Sequence, residues 1–500
     1  MSGESGGEKR GRPRGPRRGA GHARRTDAPA GRRDTRAPHR AAPPRRDPAR
    51  EAAFEVVRAV TADDAYANLV MPAVLRRHGL SGRDAGLATE LAYGALRGLG
   101  TYDAVVAACV TRPVTELDPP LLDALRLGAH QLLATRVPPH AAVSTTVDLV
   151  RTHVNPGAAR LANAVLRRIG EHDLDGWASR LVPGDAEAAS VDDDAPVVDQ
   201  LAFRHSHPAW IVRALRDALG GDDAELAACL AADNAAADVH LAARPGRATV
   251  DELVADGARP ARWSPYGVVV ESGSPGRFAA VRDQRAGVQD EGSQLVALAL
   301  ADAPLDGPDD RWLDLCAGPG GKAALLAGLA TQRGARLLAV EQHQHRAQLV
   351  AQALAGDPGE HEVLVGDATQ PAWPEADFDR VLLDAPCTGL GALRRRPEAR
   401  WRRQPSDVEE LHELQVALLG SALWSVRPGG LVAYVTCSPH LAETSAVVDD
   451  VLGSRSGVER LDARPCLPGV PDLGAGPDVQ LWPHRHGTDA MYLALLRRTE

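Results

Sequence analysis

Between residues 48 and 175 the apolar positions recur three and four apart. Ala52, Phe54, Val56, Val57 and Val60 form one stripe, Leu69, Val74 and Leu75 a second, and Leu87, Leu91, Leu96 and Leu99 a third. That is the spacing of amphipathic helices. Gly79, Asp118-Pro119-Pro120, Val137-Pro138-Pro139 and Asn155-Pro156-Gly157 interrupt it, so the pattern predicts five or more helices in an all-α domain. From residue 290 to the end, short apolar runs alternate with helical stretches. Strands are expected at Trp312–Leu315, Arg336–Val340, Val363–Val365, Arg380–Leu383, Gly430–Val435 and Ala490–Leu496. Such alternation implies a doubly wound parallel sheet with its ligand at the carboxyl ends of the strands. The last strand can enter antiparallel.

The intervening chain is more mixed. Residues 176–198, rich in Asp, Ala and Pro, read as a linker. Residues 199–289 read as a small α/β module, with helices at Trp210–Leu219 and Ala224–Ala232 and strands at Val239–Ala243 and Gly267–Glu271. The run Gly287 to Leu295 then leads into an apolar helix expected to cover the first strand of the 290–500 domain.

Composition changes the picture at the N-terminus. Residues 1–47 are Arg, Gly, Pro and Ala in irregular order, without an aromatic residue, and cannot bury a core. They read as a disordered basic tail. The first 50 residues hold 15 Lys and Arg against 5 Asp and Glu in a chain of net charge -9, so the body is acidic and the tail is not. The tail could hold RNA by counterion release or serve only as a solubilising extension. No apolar run approaches the ~20 residues of a membrane span, and no signal-peptide core is present. A cytoplasmic protein without membrane contact is expected. The six cysteines lack metal-type pairing, which disfavours a zinc site or a disulfide framework and leaves thiols free for chemistry.

The densest signal is Trp312-Leu313-Asp314-Leu315-Cys316-Ala317-Gly318-Pro319-Gly320-Gly321-Lys322, which reads as strand, glycine turn and helix start. Glycine lets backbone approach a ligand closely, and the free N–H groups of the helix start can meet its polar end. The spacing is neither G-x-G-x-x-G nor a phosphate-binding loop. Asp314, Glu341, Asp367 and Asp384 fall at or just after successive predicted strand ends. Singly, each is more often a cap or turn residue, but a doubly wound sheet brings them to one crevice. Glu341 has the position of an acid that takes a ribose diol, Asp367 could accept from an adenine amino group, and Asp384 could face a second ligand. Cys387 and Cys437 follow the fourth and fifth strands, which suggests thiol chemistry at the same crevice.

Three motifs, Asp314 to Lys322, Asp384-Ala385-Pro386-Cys387-Thr388-Gly389 and Thr436-Cys437-Ser438, resemble those of the S-adenosylmethionine-dependent RNA cytosine-C5 methyltransferases. Arg83 to Arg97 and Leu161 to Arg168 resemble the helical RNA-binding domain of the antitermination factor NusB. From about residue 48 to 500 the chain resembles the bacterial 16S rRNA methyltransferase B (RsmB/Sun) family. The resemblance implies a NusB-like bundle, a small α/β recognition module and a Rossmann-like methyltransferase domain. It implies Cys437 as nucleophile on cytosine C6, Cys387 in product release and Asp384 in orienting the base. It assigns the cofactor to Cys316, Ala317, Gly318, Pro319, Gly320, Gly321, Lys322, Glu341, Asp367 and Asp384. The chain departs from the family pattern at Gly318, where alanine is usual, at Glu341, where aspartate is commoner, and at Thr444, where asparagine is typical. In the bundle, Arg97, Arg167 and Arg168 read either as RNA contacts or as a solvated face. The run 394–403 carries Arg394, Arg395, Arg396, Arg400, Arg402 and Arg403 beside Trp401, a composition suited to phosphates and base stacking. The expected protein is a monomer, without a metal, acting on 16S rRNA. The rival readings are a tRNA cytosine-C5 methyltransferase and a non-catalytic RNA-binding or antitermination factor.

Overall fold

The computed structural model describes residues 46–182 and 195–500. All but the last two residues of the expected tail, and the middle of the expected linker, lie outside this range. Seven helices form the N-terminal bundle: α1 (Pro48–Ala62), α2 (Ala67–Arg77), α3 (Gly82–Arg97), α4 (Leu99–Cys109), α5 (Pro119–Leu133), α6 (Pro139–His153) and α7 (Pro156–Ile169). The prolines that interrupt the sequence pattern stand in the first turns of α5, α6 and α7, where a missing N–H costs nothing. Asp47 caps α1 by accepting from the Arg50 amide at 3.2 Å, and Asn155 caps α7 through the Ala158 amide at 2.8 Å. The first stripe is buried as expected. In α2 the buried face is Ala67, Met71 and Val74, while Leu69 points outward.

The stretch read as a linker begins and ends in helix: α8 (Leu174–Leu181) is capped by Asp173, and α9 (Ala195–His205) follows the undescribed segment. The stretch read as one α/β module divides in two. Helices α9, α10 (Ala209–Ala218) and α11 (Asp223–Asp233) pack Val198, Ile211, Leu215, Leu226 and Leu230 against Leu390, Leu393, Trp482 and Ala490 of the C-terminal domain. The rest is β1 (His240–Ala243), α12 (Val250–Ala255), β2 (Ala258–Pro260), β3 (Gly267–Val270), α13 (Ala279–Arg282) and β4 (Ala286–Val288). Its antiparallel sheet, ordered β2-β3-β1-β4, has its own small core around Leu241, Val268 and Phe278.

The C-terminal domain opens with α14 (Glu291–Asp302), β5 (Arg311–Asp314), α15 (Gly321–Arg333), β6 (Arg336–Glu341), α16 (Gln344–Leu354) and β7 (His361–Val365). It continues through β8 (Phe378–Asp384), α17 (Ala399–Arg402), α18 (Pro405–Ser425), β9 (Val426–Thr436), α19 (Ser445–Ser454), β10 (Val458–Leu461), β11 (Val479–Gln480), α20 (Pro483–His486) and β12 (Tyr492–Arg498). The order β10-β12-β9-β8-β5-β6-β7 makes β5 to β9 a parallel, doubly wound core, with β12 antiparallel to β9. The chain reverses its winding between β5 and β8, so the switch-point crevice opens beyond Asp314 and Asp384. Alternate residues serve opposite faces: Trp312 joins the core under α14 and α15, and Leu313 the core under α18 and α19. Among the described residues no helix is long and apolar enough to cross a membrane.

Candidate active site

The turn after β5 is held by backbone bonds from Ala317 N to Val340 O at 2.9 Å and from Gly320 N to Ala317 O at 2.8 Å. Gly320 takes φ +106, a conformation that a side chain disfavours, and a Cβ there would lie 2.7 Å from that of Ala353. The turn delivers the first residues of α15 to a cavity of about 720 Å³. Cys316, Ala317, Gly318, Pro319, Gly321, Lys322 and Asp384 line it, as does Asp314. Asp314 is fully buried, and neither carboxyl oxygen makes a hydrogen bond. Burial, reinforced by the charge of Asp384, pushes its pKa up to about 8, although the nearby Cys316 amide favours the charged form. Burial also drives the Cys316 thiol far up, so it has no thiolate character near neutral pH.

Lys322 Nζ donates to Asp384 Oδ2 at 2.8 Å and to Ser293 Oγ at 3.3 Å. Burial opposes its charge, but Asp384 holds its pKa above the usual lysine value. The two cysteines named from the sequence lie beside this pair. Cys387 Sγ and Cys437 Sγ are 3.4 Å apart, and neither is in a disulfide. With Cys387 as donor, the bond lowers the pKa of Cys437 against the effect of burial, and Lys322 adds to the lowering. The same bond, together with burial, holds Cys387 well above the ordinary thiol value. A pair of thiols held in this way suits one sulfur to nucleophilic attack and the other to donating a proton. The sulfurs are half-buried and are not part of the cavity lining; Lys322 and Asp384, whose charges Cys437 feels, are.

One buried group sets this geometry. Glu443, wholly buried, accepts from the Thr388 amide at 2.7 Å, the Thr388 hydroxyl, the Ser438 hydroxyl at 2.6 Å and Gln415 Nε2 at 3.4 Å. Thr388 follows Cys387 and Ser438 follows Cys437, so a single carboxylate ties both cysteine turns together.

The 16S rRNA methyltransferase RsmB/F family model matches residues 301–497, and the NusB family model matches residues 47–171. A protein of Mycobacterium tuberculosis described as a methyltransferase is 55% identical over 454 residues, which cover 90% of this chain and 97% of that protein. The ribosomal RNA small subunit methyltransferase B of Pseudomonas putida is 33% identical over 434 residues, covering 83% of this chain and 91% of that one. The chain belongs to the RsmB/F family of 16S rRNA methyltransferases. Its fold also matches the crystal structure of PH0851, with a TM-score of 0.73 and 22% identity, over 91% of this chain and 99% of that chain.

Within this family member, not every residue named from the sequence reaches the cavity. Gly320 shapes the turn without lining it. Glu341 sits behind Gly318: Oε2 accepts from the Gly318 amide at 3.1 Å and Oε1 from the His343 amide at 2.9 Å. Asp367 is exposed and outside the lining, and its oxygens are taken up by Thr369 and Gln370 in a local turn.

The arginine run requires correction, because most of its guanidiniums are spent on protein partners. Arg394 binds Asp489 at 2.8 Å, the Gly487 carbonyl at 2.8 Å and Asp290 at 3.0 Å, and Arg395 binds the same two carboxylates. Arg400 is 0% exposed and donates to Ser206 O and Asn234 Oδ1. Arg402 donates to Val60 O and Ala65 O in the bundle, and Arg403 donates to Thr388 O and stands 3.6 Å from Asp407. The Trp401 ring lies so close to Gly100 that a Cβ there would stand 2.1 Å from it. Arg396 alone of the six is exposed and lines the cavity without an ion pair among the described residues.

Sequence reasoning did not single out Glu443, Ser293 or the α3 residues Thr89, Glu90 and Tyr93 that also line the cavity. Asp314 was noted at its strand end without a role. Among the described residues, no group of three or more His, Cys, Asp or Glu side chains is placed to hold a metal.

Replacing Glu443 by Gln puts an amide donor against hydroxyl and amide donors. The variant is expected to lose about 2–3 kcal/mol of unfolding free energy together with most of its methylation rate, measured by urea titration and methyl incorporation. Unchanged stability and rate would remove Glu443 from its organising place. For Asp314, the unfolded chain sheds the proton near pH ~4, whereas the folded chain keeps it to about 8. Folding takes up a proton in that window, so stability falls as pH rises through it, by up to ~1.4 kcal/mol per unit. Urea titrations at about pH 5 and about pH 7.5 should show a shallower pH slope for Asp314→Asn than for the wild type.

Proposed function

We propose that the protein methylates C5 of a cytosine in 16S rRNA through a covalent bond between Cys437 and C6, with S-adenosylmethionine as donor. The observation that carries this reading is the 3.4 Å approach of Cys437 to Cys387 at adjoining strand ends, beside a cavity that continues to the 316–322 loop.

The loop fits such a cofactor on its own evidence. The buried Asp314 carboxyl, without a hydrogen-bond partner, is an acceptor awaiting a donor, the start of α15 offers free N–H groups, and the glycine turn leaves room for close approach. Cys316 to Lys322 and Asp314 would hold its methionine end; on the ribose and adenine side, Glu341 and Asp367 would have to share their oxygens with the Gly318, His343, Thr369 and Gln370 donors that now meet them. When bound, S-adenosylmethionine supplies an electrophilic methyl group.

Cytosine C5 is too weak a nucleophile to take that group unaided. Attack by the Cys437 thiolate on C6 pushes an electron pair to C5 and turns it into an enamine carbon. Asp384, which lines the cavity and is held by Lys322, orients the polar edge of the base. After C5 is methylated, a base takes the C5 proton, the C–H electron pair becomes the C5=C6 double bond, and the Cys437 sulfur leaves as thiolate with the C6–S pair. Cys387 assists this release. The base must stand outside any stack to reach the sulfur.

Replacing Cys437 by Ala should abolish methyl incorporation into 16S rRNA while leaving S-adenosylmethionine affinity, measured by calorimetry, in place. Replacing Cys387 by Ala should let a covalent protein–RNA adduct accumulate on a denaturing gel. Appreciable turnover by the Cys437 variant, or no adduct with the Cys387 variant, would overturn the two assignments respectively.

A further inference from the structure

The cavity is built from three parts of the chain. Opposite the 316–322 loop, α3 of the N-terminal bundle contributes Thr89, Glu90, Tyr93 and Arg97, and the small sheet contributes Val239 and Val288, the latter 56% exposed. Most charges that reach it are already neutralised. Lys322 is held by Asp384, and Arg394 and Arg395 share Asp290 and Asp489. Glu90 is exposed, and its charge reaches Arg97 from beyond ion-pair distance.

Two guanidiniums are different. Arg97 and Arg396 line the cavity, and neither has an ion pair among the described residues; Arg97 Nε is shielded from solvent and lacks any hydrogen-bond partner. Each lies over a tyrosine ring, Arg97 at 5.5 Å from the Tyr93 ring centre and Arg396 at 5.1 Å from that of Tyr66, which Arg402 approaches equally closely. Stacking covers the flat face of a guanidinium and leaves its N–H edge free, the geometry that meets a phosphate. A buried donor without a partner is costly and calls for an acceptor. The two arginines come from different domains, so an anion held by both must sit at the junction over the reaction cavity.

We propose that Arg97 and Arg396 grip the sugar-phosphate backbone beside the nucleotide whose base enters the cavity, making α3 of the bundle a wall of the substrate site. This rests on the reading of RNA as substrate given above. The apolar surface of Val239 and Val288 lies along the same cavity and offers a face for the unstacked base or its neighbour.

The test uses the full chain with Arg97→Gln, Arg396→Gln and the double variant, binding in-vitro-transcribed 16S rRNA over a range of KCl. Each single variant should weaken RNA binding about tenfold and reduce the slope of log affinity against log salt by about 0.7, the value for one phosphate contact on a single strand. S-adenosylmethionine affinity and the urea midpoint should not change, and Arg97→Lys should recover part of the lost affinity. If the two arginines share one phosphate, the double variant loses less than the sum of the single losses; additive losses assign them to separate phosphates, and both results sustain the grip. Wild-type RNA affinity and salt slope in Arg97→Gln, with an active parent enzyme, would overturn this inference alone. A parent that neither binds nor methylates RNA would overturn the proposed function with it.

Discussion

Glu443 lies between the turns that follow β8 and β9, out of contact with water, and accepts hydrogen bonds from Thr388, Ser438 and Gln415. An ionised carboxylate in that position would be prohibitively costly without donors, and the folded chain places four there. Their arrangement has a geometric consequence. Turns leaving neighbouring parallel strands have no intrinsic reason to keep two side chains in contact, yet Cys387 and Cys437, 50 residues apart, meet at 3.4 Å. The bond from Gly391 N to Cys437 O and that from Gln415 Nε2 to Pro386 O lock the same turns from other sides. The unequal acidity of the two thiols follows from their contact, and their contact follows from this anchor.

A second set of buried charges holds the domains together. Asp290 at the start of α14, Asp489 before β12, and Arg394 and Arg395 between β8 and α18 form one network, while Arg400 reaches into α9 and α11 and Arg402 into the bundle. Arginine suits such a junction because its planar group donates in several directions at once. Through Arg402 the same run reaches the bundle, whose α3 forms one wall of the cavity.

Features that rest on local pattern were legible in the sequence. The alternation after residue 290 gave the parallel core and its switch point, and the acids at strand ends could be placed because a strand's carboxyl end is set by its own few residues. The antiparallel entry of β12 was open to the same reasoning. Features that rest on distant partners were not legible. Nothing near Arg394 or Arg402 announces partners 95 and 342 residues away, so a dense basic run with a tryptophan looked like an RNA surface when it is chiefly an interdomain joint. Glu443 stood in a loop whose neighbours suggested only local variation. The 199–289 module divided because amphipathic helices carry no label of which domain will cover their apolar faces. The strands β2, β4 and β11, two or three residues each, have too few residues for period-two alternation to stand out.

The two departures from the family pattern at residues 318 and 341 become one feature in three dimensions. A Cβ on residue 318 would lie 2.2 Å from Glu341 Oε2, inside van der Waals contact, whereas the glycine amide donates to that oxygen at 3.1 Å. Aspartate is shorter by one methylene and would withdraw the carboxylate, leaving room for the methyl group of alanine. Arg346 closes the unit by donating to the Gly318 carbonyl at 2.6 Å and standing 3.5 Å from Glu341. With Glu341 in this rotamer, a side chain at residue 318 would have to displace the carboxylate and break its bond with the residue 318 amide.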